Sequence, residues 1–246
     1  MQVIICGDSW TAGEWNEGGD RILHGGISQY FKEDNFDVVN IGYPGGTNLT
    51  SVIRLDNWLN LNTHNKDTII LFFLTEFFRE IWHYTNLNNS TQPVNLDNEL
   101  NRSYTEIKDS WVYRPYYRLQ ELAEKYNTKF YLVGGASDTI FKYDDFSIDF
   151  PNLKIACQST TNLLVNDNPN VEEPVMCKFL NDWTNPFLKS IKPDEALLTD
   201  MDLGKARTKT MSQNPQWFWP DGIHPNRQGH LKLYKYLKNS IMKEKQ

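Results

Sequence analysis

Residues 68–74 read Thr-Ile-Ile-Leu-Phe-Phe-Leu, an unbroken apolar run after its leading threonine. A strand with one wet face alternates apolar and polar residues; a run without alternation suits a strand covered on both faces, the condition of a parallel sheet between helices. Shorter stretches repeat the theme. Gln2–Cys6, Asp37–Ile41, Lys129–Val133 ending at Gly134-Gly135, and Leu153–Cys157 are the other expected strands. Helical spacing falls between them: around Ile27–Lys32, and from a cap at Thr47 or Asn48 through Leu49, Val52, Ile53, Leu55 and Leu59. A longer helix is expected over Tyr104–Tyr126, kinked or broken at Pro115, and an amphipathic one over Gln228–Met242 carrying Leu231, Leu233, Tyr234, Leu237 and Ile241. Strand alternating with helix predicts an α/β protein with a parallel sheet and helices on both faces. In such sheets reactive groups gather beyond the carboxyl ends of the strands. Ser9, Gly45 and Glu76 would emerge there.

The length of 246 residues suits a single domain over 1–246. An Asn-rich stretch without periodicity, residues 86–103, is expected to be an inserted loop or lid, and residues 137–220 an irregular region. The formal charge of −6, with no basic run before Lys243-Glu244-Lys245, argues against a nucleic-acid partner. Cys6, Cys157 and Cys177 cannot all pair and are expected to be free thiols. A first strand starting at residue 2 or 3 leaves no room for a signal peptide, and no apolar stretch approaches a membrane span. A cytoplasmic protein is therefore expected, and a phage or virion-associated one fits the same sequence. His24, His64, His83 and His230 show no metal-ligand spacing with each other or with the cysteines, so no metal is expected. The glycines of residues 42–46 are not followed by Lys-Ser or Lys-Thr, which leaves no phosphate cradle and no expected cofactor.

Two distant segments carry the chemistry. Phe218-Trp219-Pro220-Asp221-Gly222-Ile223-His224-Pro225-Asn226 places a carboxylate and an imidazole three residues apart in a loop stiffened by two prolines. At that spacing Asp221 can accept the Nδ1 proton of His224 and fix its tautomer. The missing nucleophile is Ser9, which follows Val3-Ile4-Ile5-Cys6 and a glycine, the setting of a serine on a tight turn at a strand end. The other reading of these residues is a turn serine, a helix-capping aspartate and a structural histidine. Tryptophans near both segments, Trp10, Trp217 and Trp219, pack the core or line a sugar or acyl site.

Gly7-Asp8-Ser9 near one end and Asp221-Gly222-Ile223-His224-Pro225 near the other resemble the first and last signature blocks of the SGNH, or GDSL, hydrolase family. The resemblance implies a three-layer α/β/α sandwich of flavodoxin-like type and a serine esterase with Ser9, Asp221 and His224 as its triad. It also implies an oxyanion hole built from the backbone N–H of Ser9 and, in Asn40-Ile41-Gly42-Tyr43-Pro44-Gly45-Gly46-Thr47, a glycine N–H of Gly45, with Gly46 as the alternative. The third block departs from the family. Where the family places the asparagine of Gly-x-Asn-Asp, this chain has Glu76 in Phe73-Leu74-Thr75-Glu76-Phe77-Phe78-Arg79, and an ionised carboxylate cannot donate to an oxyanion. Arg79, one helical turn on, either pairs with Glu76 and turns its guanidinium to the site as a donor, or forms an ordinary surface pair. The expected substrate is an ester of a small acyl group, a carbohydrate O-acetyl group first among the options. A catalytically silent module that binds a glycan or another ligand is the rival, supported by the lost asparagine.

Overall fold

The computed structural model describes residues 1–15, 22–64, 67–76, 79, 103, 105–106, 112–139, 149–175 and 195–243. Its elements are β1 (Gln2–Cys6), α1 (Ser9–Ala12), β2 (Glu14–Trp15), β3 (Ile22–His24), α2 (Gly26–Glu33), β4 (Asp37–Asn40), α3 (Asn48–Leu61), β5 (Ile69–Leu74), α4 (Arg114–Tyr126), β6 (Lys129–Gly134), β7 (Leu153–Cys157), α5 (Thr160–Asn166), α6 (Glu195–Ser212) and α7 (Arg227–Lys243). The five-stranded sheet has the order β4-β1-β5-β6-β7, and every neighbouring pair is parallel. Strands β2 and β3 form a separate antiparallel pair.

The continuous apolar runs explain the layering. Successive side chains of a strand point to opposite faces, so Ile4, Cys6, Ile70, Phe72, Leu74, Phe130 and Leu132 pack on one side with Val52, Leu55 and Leu59 of α3 and with Tyr116, Leu119 and Leu122 of α4. Val3, Ile5, Leu71, Phe73, Tyr131 and Val133 pack on the other with Ile27 and Phe31 of α2 and Leu233, Tyr234, Leu237 and Ile241 of α7. The result is a three-layer α/β/α sandwich. All six residues of β5 are buried, and full burial of side chains of this size stabilises the fold by about 1.5–3 kcal/mol each.

Counted along the chain, the sheet strands run 2-1-3-4-5. That is a doubly wound order with its switch point between β1 and β5, where the chain changes its direction of winding and leaves a crevice beyond the strand ends. Ser9 follows β1 and Glu76 follows β5, so both border that crevice.

Three expectations change. Ile53, counted on the apolar face of α3, is 59% exposed, because the buried stripe runs through Val52, Leu55 and Leu59. The helix expected over Tyr104–Tyr126, kinked or broken at Pro115, is interrupted just before that proline: residues 105–106 and Val112 are helical, α4 starts afresh at Arg114 after a bend at Tyr113, and Pro115 sits in its first turn, where a missing N–H costs nothing. The region 137–220 is not irregular throughout: besides the expected strand β7 it contains α5 and α6. The expected lid at 86–103 lies outside the described residues apart from Ser103.

Candidate active site

The turn between β1 and α1 is built around Gly7, whose φ is +154°. A Cβ there would lie 2.8 Å from Cβ of Phe73 and 2.9 Å from Cγ2 of Thr11, so the turn requires glycine on steric as well as conformational grounds. Asp8, fully buried, caps α1 through a hydrogen bond from Trp10 N–H to Oδ1 at 3.0 Å. Its Oδ2 accepts from Thr75 Oγ1 at 2.6 Å and from Arg79 Nη1 at 3.0 Å. Thr75 is fixed in turn by Asn48, which donates to its carbonyl at 2.8 Å and accepts from its N–H at 2.9 Å. The carboxylate before the serine thus ties the end of β1 to the end of β5 across the switch point.

Ser9 begins α1 and is 7% exposed. His224 reaches it from the other end of the chain: Nε2 lies 2.9 Å from Ser9 Oγ, and Nδ1 lies 2.7 Å from Asp221 Oδ2. The Asp221 carboxylate fixes the tautomer, because Nδ1 must carry the proton it donates and Nε2 is left to accept from the serine. Oδ1 of Asp221 also accepts the N–H groups of Ile223 at 2.8 Å and His224 at 3.1 Å. Burial alone would raise the Asp221 pKa, but the hydrogen bonds from the His224 ring and from these two N–H groups outweigh it and hold the carboxyl below the ordinary aspartate range. The loop is closed by Trp219 N–H donating to His224 O at 2.9 Å and by a bridge between Phe218 and Pro225.

At the oxyanion end, Gly46 N–H donates to Tyr43 O at 2.9 Å in a turn, which commits that group. Gly45 has φ of +73° and open space within 4 Å of where a Cβ would stand. Arg79 donates through Nε to Glu76 Oε2 at 2.8 Å and through Nη1 to Asp8. The side chains of Glu76 and Asp8 are 3% and 0% exposed, so the pairing is not an ordinary surface one.

No protein-family model matches this chain, and no curated protein matches it. Solved structures do. A lipase/acylhydrolase from Enterococcus faecalis aligns over 99% of this chain and 96% of its own at 16% identity and a TM-score of 0.42. A GDSL-like lipase from Bacteroides thetaiotaomicron aligns over 99% and 88% at 14% identity and a TM-score of 0.44. An acetyl xylan esterase aligns over 98% and 100% at 15% identity and a TM-score of 0.41. At such low identity and TM-score these likenesses carry no weight for the chemistry of this chain, and its own geometry has to.

That geometry brings together Ser9, Asp221 and His224, with Gly45, Glu76 and Arg79 on the strand-end segments of the same crevice. Of the aromatic residues flanking the two segments, Trp10 and Phe218 are core: each is 1% exposed, with ring centroids 6.5 Å apart, in a cluster with Leu164 and Met211. Trp217 lies under the Lys232 ammonium at 4.4 Å. Cys6 and Cys157 are free and buried, and burial pushes both thiols up to about 12, which makes them inert; Cys177 and His83 lie outside the described residues. Among the described residues no group of three potential ligands gathers as a metal site, and no helix is long and apolar enough to cross a membrane. A cavity of about 180 Å³ at the ends of β6 and β7, floored by Asp138 and Arg207, includes none of the triad residues. The sequence reading missed Asp8, although the Asp-Ser order was visible. Its role depends on Thr75 and Arg79, 67 and 71 residues away.

Proposed function

We propose that this protein is a serine esterase of the SGNH type. The observation that carries the proposal is the continuous hydrogen-bonded chain Asp221–His224–Ser9, with distances of 2.7 and 2.9 Å, assembled from segments 215 residues apart. A turn serine, a capping aspartate and a structural histidine would have no reason to align in this order.

The mechanism follows from the groups present. Ser9 Oγ attacks the acyl carbon while its proton passes to His224 Nε2, and Asp221 stabilises the imidazolium that forms. Negative charge on the former carbonyl oxygen meets the N–H of Ser9, the first residue of α1, and that of Gly45. We assign the third donor to Arg79, which is held by Glu76 and by Asp8, the residue before the nucleophile, in place of the amide that an asparagine would supply. The tetrahedral intermediate collapses as His224 returns the proton to the leaving alcohol. Water, deprotonated by the same imidazole, then releases the acid and restores Ser9. A short acyl group on a carbohydrate is the substrate we favour, given the polar segments around the crevice.

A fluorophosphonate probe tests the reading, because phosphonylation requires an activated serine. Labelling is expected on Ser9 and is expected to vanish in Ser9→Ala, with ester turnover lower by a factor on the order of 10⁴ or more. Absence of labelling in the folded wild-type protein would favour a silent binding module instead. Aryl esters of increasing acyl length and acetylated sugars then define the substrate, and a rate that rises with chain length would overturn the short-acyl assignment.

A further inference from the structure

Ser9 and His224 face each other across 2.9 Å, yet they belong to opposite ends of the chain. A second polar link joins the same two segments. Glu14 follows the nucleophile by five residues and Arg227 follows the imidazole by three. Oε1 of Glu14 accepts the backbone N–H of Arg227 at 3.1 Å, and Oε2 accepts Nε of the same residue at 2.8 Å. The Glu14 side chain is only 8% exposed, whereas that of Arg227 is 52% exposed.

We infer that Glu14 is a positioning residue that sets the distance between nucleophile and base by clamping the start of α7 to the end of the Ser9 turn. The inference rests on the esterase reading of that site. Little slack separates each contact from the chemistry. On one side α1 leads through Gly13 into Glu14, which is held in register opposite His24 of β3. On the other, His224 is followed by Pro225 and by Asn226, whose side chain caps α7 by accepting the Gly229 N–H at 3.0 Å. Arg227 is the first residue of α7, so its N–H is one of the donors a helix cannot satisfy internally. The Glu14 carboxylate supplies that partner at the positive end of the helix. A carboxylate this buried is costly unless paired, and both of its oxygens are used on one residue of the opposite catalytic segment. The more buried apolar contact of Trp10 with Phe218 brings the segments together; the Glu14 pair fixes their offset.

The backbone contact makes the effects unequal in a way that a general stabilising pair would not. Glu14→Ala removes both bonds. Arg227→Ala leaves the backbone bond in place, and Glu14→Gln keeps an acceptor for it. A misplacement of the reacting groups by about 1 Å costs up to about a hundredfold in rate. Glu14→Ala is therefore expected to slow fluorophosphonate labelling of Ser9 between about tenfold and a hundredfold, with the full complement of protein still labelled. Arg227→Ala should slow it less, and Glu14→Gln should restore most of the rate lost in Glu14→Ala. Amide hydrogen exchange provides a readout independent of chemistry: residues 219–226 should exchange faster in Glu14→Ala while β5 and β6 keep their protection. Should Glu14→Ala not fold, Arg227→Pro serves, because proline is accepted at the first position of a helix and deletes both donors to Glu14 at once. The inference is overturned if the labelled fraction falls while the labelled molecules react at the wild-type rate, or if exchange at 219–226 is unchanged. If the wild-type protein is not labelled at all, the esterase reading fails, and the exchange measurement still decides whether Glu14 sets this loop.

Discussion

Acidification should unfold this protein partly through one residue. His230 is 1% exposed on the inner face of α7, with its ring against Gly26. Neither ring nitrogen makes a well-formed hydrogen bond among the described residues, and the Gly13 backbone offers only weak help. Burial pushes its pKa down to about 4, against about 6.5 in an unfolded chain. Above the unfolded value both states are neutral and stability does not depend on this ring. Between the two values the unfolded chain binds a proton that the folded one refuses, so stability rises with pH across the window and is lost as pH falls. At pH 4.5 this shifts the balance toward the unfolded state by a factor on the order of a hundred, or about 2–3 kcal/mol, a large share of the stability of an ordinary domain. Urea unfolding followed by tryptophan fluorescence at pH 7.5 and 4.5 measures it. His230→Gln should start from lower stability at pH 7.5 but lose about 2–3 kcal/mol less than the wild type on acidification. Asp34, Asp56 and Asp221, whose pKa values are also lowered, are present in both proteins and cancel. Equal losses in the two proteins, or a His230 ring resonance that titrates near the unperturbed value, would refute the reasoning.

Arg79→Ala should lower kcat by about a hundredfold or more with KM little changed, the signature of an interaction made mainly in the transition state; a kinetically silent variant in a stable protein would leave the hole with its two backbone donors. Glu76→Gln should be milder, since it keeps a hydrogen-bonding side chain of the same length beside the guanidinium. Gly7→Ala should cost about 2 kcal/mol or more in thermal or urea unfolding, from the positive φ and the 2.8 Å approach to Phe73, and a melting temperature equal to that of the wild type would contradict the turn described here.

Much of the layered fold was legible because the strands announce themselves. Runs such as Ile69–Leu74 have no polar face, so they fit only between two layers of helices, and the regular spacing of helix and strand gave their order. The Asp221–His224 pairing was legible for the same local reason, since two groups three residues apart in a proline-bounded loop need no long-range contact to meet. Region 137–220 was less so. Helix α6 reads weakly because its apolar residues do not form a clear stripe, and Ile53 was misplaced because helical spacing alone does not locate the edge of a buried face.

By itself, then, the sequence determined which segments become strands, that the sheet is covered on both faces, and which three side chains could form a relay, because these depend on neighbours within one turn or one strand. The tertiary structure alone decided that Asp8 is a buried junction joined to Thr75 and Arg79, that Arg79 pairs with the buried carboxylates of Asp8 and Glu76, and that Glu14 bonds Arg227 across a separation of 213 residues. A carboxylate looks the same in the sequence whether it faces water or a guanidinium. Only the packing of β1 against β5, and of α7 against the Ser9 turn, gives it a partner.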